Sequence, residues 1–155
     1  MTKPQDPLLS GGLNSDGITD EWSSGGESSL FILREGDRKY DLEERTAKFG
    51  EAVIRFLKKV PENAVNYRLI SQLVGCSTSL GANYCEADEA VSRKEFCLKI
   101  STCRKEARET KFFLRMIATA EEKYREEARA LWREANELHL IFCSIHRNSK
   151  GTSYK

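Results

Sequence analysis

Residues 92–120 read SRKEFCLKISTCRKEARETKFFLRMIATA, and the fold class follows from how this stretch begins and how it repeats. Ser92 stands three residues before Glu95. In such an S-x-x-E pattern the hydroxyl and the carboxylate satisfy free N–H groups in a helix's first turn. Directly afterwards Phe96, Ile100, Cys103, Ala107, Leu114 and Ile117 recur at helical spacings and draw one apolar stripe along a long helix. A stripe of that kind is stable only against other apolar stripes, so the flanking sequence must supply partners.

Both flanks do. Upstream, Leu42, Thr46, Phe49, Val53, Phe56, Leu57 and Val60 keep the same period, and Pro61 ends that helix because proline disfavours helical backbone at the residue before it. Asn63 is placed to cap a second helix running from near Ala64 to Ala90, striped by Leu69, Ile70, Leu73, Val74, Leu80 and Tyr84. Its centre, GCSTSLGA at 75–82, is small. Each glycine there costs roughly 1 kcal/mol of helix propensity against alanine. Close helix approach is the expected compensation, and a loop between two shorter helices is the alternative. Downstream, a fourth helix starting at Glu121 or Glu122 carries Ala128, Leu131, Trp132, Ala135, Leu138, Phe142 and Ile145. Four long amphipathic helices with short connections predict an all-α, antiparallel, up-down-up-down four-helix bundle. The bundle is expected over residues 38–148, with a frayed C-terminus at 149–155.

Residues 1–37 differ in kind. Ser10-Gly11-Gly12 and Ser23-Ser24-Gly25-Gly26 predict a flexible, disordered tail. Leu30-Phe31-Ile32-Leu33 is its apolar exception, expected to dock on the bundle or on a partner. The tail holds two basic and seven acidic residues, net −5, whereas the remainder holds 23 basic and 17 acidic, net +6. A mildly basic body permits an anionic partner without demanding one. No apolar run approaches the roughly 18 residues of a membrane span. Met1-Thr2-Lys3-Pro4-Gln5-Asp6 does not open a signal peptide. A cytoplasmic protein with no membrane partner is the expectation.

Catalytic signatures are lacking. The chain has no G-x-S-x-G, H-E-x-x-H, P-loop or dinucleotide glycine pattern. Glu86, Asp88 and Glu89 cluster without the Glu-x-x-His pairs of di-iron bundles. Neither catalytic residues nor a cofactor are expected. The five cysteines, Cys76, Cys85, Cys97, Cys103 and Cys143, form no C-x-x-C pair, and buried reduced thiols are expected of them. His139, Cys143 and His146 share one stripe of helix four and are good ligand types, but no acidic or thiol cluster is identifiable opposite them, so no metal site is expected.

Charge and surplus apolar surface carry more information. Arg104, Arg108, Lys111 and Arg115 fall at i, i+4, i+7 and i+11, within about 60° of helix arc, while Glu95, Glu106 and Glu109 lie to another side. Like charges on one stripe repel by a few tenths of a kcal/mol per pair. Such a stripe suits phosphates, or acids on a neighbouring helix or subunit. Phe112, Phe113 and Met116 lie off the core stripe, and so does Ile54 on helix one. They are candidates for a subunit interface.

The motifs also resemble a known family. Tyr40-Asp41-Leu42-Glu43-Glu44-Arg45-Thr46, Phe49-Gly50-Glu51, Gln72-Leu73 and Ser77-Thr78-Ser79-Leu80-Gly81-Ala82-Asn83-Tyr84-Cys85-Glu86-Ala87 are similar to the bacterial four-helix bundle proteins of the 23S rRNA intervening-sequence family. So are Lys94-Glu95-Phe96, Lys105-Glu106-Ala107-Arg108-Glu109-Thr110 and Phe113-Leu114. The similarity covers residues 40–120 and reaches helix four by pattern alone; its specific part is Ser77–Ala87. It implies a non-catalytic four-helix bundle that assembles as a homopentamer. A related branch, the accessory variability determinant of diversity-generating retroelements, is a basic pentamer that binds nucleic acid and a reverse transcriptase. This chain departs from that branch in being only weakly basic. On these grounds the expected partners are copies of itself and RNA or DNA, with a reverse transcriptase as a further candidate. The four basic residues are singled out by periodicity, and no role is carried over to them from a family motif.

Overall fold

A computed structural model of the chain describes Trp22 and residues 41–151. The first helix, α1 (Leu42–Leu57), begins where the Asp41 side chain accepts the Glu44 N–H at 3.1 Å. Glu43 and Glu44 in the first turn complement the positive end of the helix dipole. Its apolar stripe is buried as the spacing predicts, with Phe49 and Val53 fully enclosed. Past Pro61, Asn63 Oδ1 accepts the N–H groups of Val65 (3.0 Å) and Asn66 (2.9 Å) and opens α2 (Asn66–Asp88).

Helix α2 runs unbroken through residues 75–82, which excludes the interrupted alternative. The small polar residues satisfy themselves inside the helix: Ser77 Oγ and Thr78 Oγ1 both donate to the Val74 carbonyl. Close approach explains one glycine and not the other. A Cβ on Gly81 would lie 3.3 Å from Thr46 Oγ1 and 3.5 Å from Thr46 Cβ, whereas a Cβ on Gly75 would meet nothing within 4 Å. The expectation that both glycines serve helix contact is corrected accordingly: α1 crosses α2 at Gly81.

Helix α3 (Arg93–Ala120) starts with the expected cap, Ser92 Oγ accepting the Glu95 N–H at 3.1 Å. The reciprocal bond goes one residue further back, from Val91 N–H to Glu95 Oε2. Helix α4 (Arg125–Lys150) begins later than its sequence pattern suggests, because Glu122–Tyr124 form a single 3₁₀ turn. It also continues through Ser149 and Lys150, where fraying was expected. Arg93 donates to the Ser149 carbonyl through Nε (3.0 Å) and Nη2 and satisfies the end of that helix. The expected tail and the Leu30–Leu33 segment lie outside the described residues, apart from Trp22.

The four helices form the antiparallel ring that short connections impose. The most extensive contacts of α3 are with α2 and α4, and α1 closes the fourth side against both α2 and α4. At the centre Phe49, Leu73, Leu80, Ile100, Leu114, Ile117, Leu138 and Phe142 are fully enclosed. Burial of each stabilises the fold by about 1.5–3 kcal/mol. A bidentate ion pair ties α1 to α4: Arg45 Nε to Glu134 Oε1 at 2.6 Å and Arg45 Nη2 to Glu134 Oε2 at 3.0 Å. Near the other end of α1, Tyr124 Oη donates to the Lys59 carbonyl at 2.8 Å. Among the described residues no helix is long and apolar enough to cross a membrane.

Two of the five thiols fit the expectation of buried cysteine. Cys76 and Cys103 are enclosed, whereas Cys85 is exposed and Cys97 and Cys143 are half-buried; all five are free.

Candidate nucleic-acid interface

The four basic residues of α3 lie along its seam with α4, and the seam treats them differently. Lys111 is turned inward and nearly enclosed. Its ammonium donates to Asn136 Oδ1 (3.0 Å), meets His139 Nδ1 (3.3 Å) and sits 5.6 Å over the Trp132 ring. An ammonium has no lone pair to offer, so His139 Nδ1 must accept and Nε2 carries the proton, facing Cys143 Sγ at 3.5 Å. Arg104 is half-buried and reaches His146 Nδ1 at 3.2 Å. Burial, then the charges of Arg104 and Lys150, hold the His146 pKa below its ordinary value, which leaves a neutral ring that accepts this bond. Arg108 is exposed, and Arg115 is half-buried beside Trp22. Among the described residues, Arg104, Arg108 and Arg115 have no carboxylate in ion-pair contact.

The imidazole and thiol stripe therefore faces cations rather than further ligands. Among the described residues no group of three or more His, Cys, Asp or Glu side chains could hold a metal ion. In the closed seam His139 meets Lys111 and His146 meets Arg104, while Cys143 lies against His139.

The seam also draws on residues that periodicity on α3 alone does not reveal. Arg125 and Arg129 stand one turn apart on α4. Arg129 pairs with Glu126 Oε1 at 3.2 Å and lies over the ring of Trp22 at 5.7 Å. Arg125 Nε is buried with no hydrogen-bond partner among the described residues. The regular spacing of Arg125 and Arg129 was visible in the sequence, but Glu126, Glu127 and Glu134 around them masked it. Trp22 was signalled only as an indole within a glycine- and serine-rich segment.

The four interface candidates separate by exposure. Phe112 is 54% exposed and Ile54 41% exposed, whereas Phe113 packs partly on the core and Met116 is half-buried. Phe112 and Phe113 meet edge to face at 5.2 Å. Leu98, also exposed, lies four turns before Phe112 and within about 40° of it, with Thr102, Lys105 and Glu109 between them on that face.

Fold and seam define a class: an antiparallel four-helix bundle with a cation-rich seam between its two longest helices. The profile of the 23S rRNA-intervening sequence protein family matches residues 38–143. The chain belongs to that family. A solved structure of a protein of unknown function from the S23 ribosomal protein family of Bacteroides thetaiotaomicron VPI-5482 is similar to it. The two share 26% identity with a TM-score of 0.61, over 69% of this chain and 99% of that one. A comparison with curated proteins gives no match.

Proposed function

We propose that the chain is a non-catalytic, homo-oligomeric bundle, assembled as a pentamer, that acts as a nucleic-acid-associated adaptor. The observation that carries this reading is the trio Arg104, Arg108 and Arg115, three guanidiniums on one helix line with no carboxylate in contact among the described residues. Phosphates would meet that line by charge, without base readout, since arginine forks fit phosphate oxygens bidentately. Exposed Phe112, Leu98 and Ile54 would be covered by neighbouring copies. Membership of a family named for an rRNA intervening sequence is compatible with an RNA partner.

A protein-only scaffold is the second reading. Its support is that Lys111 and Arg104 already engage α4 side chains within one protomer. Fluorescence anisotropy with a labelled single-stranded RNA separates the two. The wild type binds, and Arg104→Glu/Arg108→Glu loses about tenfold or more in affinity. Unchanged binding in that variant contradicts the adaptor reading. Solution mass tests the assembly: the wild type runs as a multimer and Phe112→Glu as a smaller species with unchanged helicity. A wild-type monomer contradicts the oligomer.

A further inference from the structure

A tryptophan in a glycine- and serine-rich acidic segment has no evident local use, yet Trp22 has a seat on the bundle. It is 7% exposed, and its ring meets side chains of the seam. Its ring centroid lies 5.9 Å from that of Trp132, tilted by 56°. The guanidinium of Arg115 lies 6.0 Å over the ring and that of Arg129 5.7 Å. Two cations from different helices converge on one aromatic ring, which offsets their mutual repulsion through its electron-rich face. Such a seat selects a planar, electron-rich ring. The approaches to it are cationic, so it favours that ring on an anionic chain. In sequence Trp22 directly follows Asp20-Glu21, two carboxylates before an indole.

An unpaired nucleotide strand has the same chemistry. Its bases stack on aromatic rings and guanidinium planes, and its phosphates seek arginines. Duplex bases are already stacked on one another and cannot enter. We propose that Arg115, Arg129 and Trp132 form a base-stacking subsite for single-stranded nucleic acid, and that Trp22 occupies it within the chain until a strand displaces it. This deepens the reading of the seam as a nucleic-acid interface and rests on it. The subsite gives that interface a preference for unpaired strands, and the tail gives it an intramolecular competitor.

A tethered competitor lowers apparent affinity by the fraction of time the site is open. A Trp22 docked about nine-tenths of the time weakens binding about tenfold. The test compares wild type, Trp22→Ala, Trp22→Phe and Trp22→Ala/Arg115→Ala by anisotropy, using a mixed-sequence single-stranded RNA and the matching duplex. Trp22→Ala should bind the single strand about tenfold tighter than wild type and the duplex less than about twofold tighter. Trp22→Phe, which keeps a planar ring, should stay near wild type, and adding Arg115→Ala should cancel the gain. In the wild type, saturation with the single strand should shift tryptophan emission to the red as the indole enters water. Equal single-strand binding by wild type and Trp22→Ala, with no emission shift, overturns the subsite and leaves the seam reading standing. Equal gains for single strand and duplex overturn it too, assigning the cover to charge instead of stacking. No binding by any of the four proteins overturns both.

Discussion

Replacing Arg45 with Met removes the guanidinium that holds Glu134 and leaves the carboxylate where it is. The pair is bidentate, at 2.6 Å and 3.0 Å. The side chains are 19% and 6% exposed, so the carboxylate that remains has little access to water. The hydrogen bond to Glu134 and then its charge push the Arg45 pKa up against the opposing effect of burial, so the cation persists wherever the protein is folded. Breaking a buried pair by removing one partner costs about 3–5 kcal/mol, most of it from the uncompensated charge left behind. The partial exposure of Arg45 places the expected loss near the lower end, at about 3 kcal/mol. Removing both charges with Arg45→Met/Glu134→Leu leaves no orphan, and the double variant should lie within about 1 kcal/mol of wild type. The coupling energy would then be about 2 kcal/mol or more, far above the few tenths expected of independent sites. Urea unfolding at fixed protomer concentration reads all of these values. A loss below about 1 kcal/mol for Arg45→Met, or additive single-variant losses, would refute the claim that this pair fastens α1 to α4.

The two glycines of α2 should respond in opposite directions. Gly75→Ala adds a methyl into open space and should stabilise the chain by up to about 1 kcal/mol, whereas Gly81→Val drives a larger side chain into Thr46 and should cost at least about 1 kcal/mol by urea unfolding. Burial pushes the Cys76 thiol up to about 11 and Cys103 up to about 12, from an ordinary 9.0. Between those limits the unfolded chain releases protons that the folded chain retains, so stability is intact below pH 9.0 and falls as pH rises toward 11 and 12. Cys103→Ala should flatten that decline in alkaline unfolding curves, and exposed Cys85 should be alkylated in the native protein well before Cys76 and Cys103.

Most of the bundle was legible because its stripes are regular. Phe49, Leu80, Ile100, Leu114 and Phe142 sit where helical spacing puts them, fully enclosed. Asn63, Ser92 and Pro61 act as boundaries because their effects are local. What sequence could not fix were features decided by a second helix. Gly75 and Gly81 look alike in one dimension, and only the position of Thr46 separates them. Lys111 belongs to the basic stripe by spacing, but Asn136, His139 and Trp132 take it out of the surface. The contribution of α4 was masked by Glu126 and Glu127, which lie between Arg125 and Arg129. Trp22 lay in a segment whose composition argues against structure, and its seat combines side chains from positions about a hundred residues further along the chain.

The salt dependence of RNA binding tests the central claim most directly, because phosphate contacts release counterions and packing contacts do not. With about three phosphates met per protomer by Arg104, Arg108 and Arg115, the slope of log affinity against log salt should be about −2 for a single strand. In Arg104→Glu/Arg108→Glu it should become shallower by about 1.4. Wild-type affinity that stays flat from about 50 to about 300 mM salt, or a slope that the variant leaves unchanged, would contradict the account.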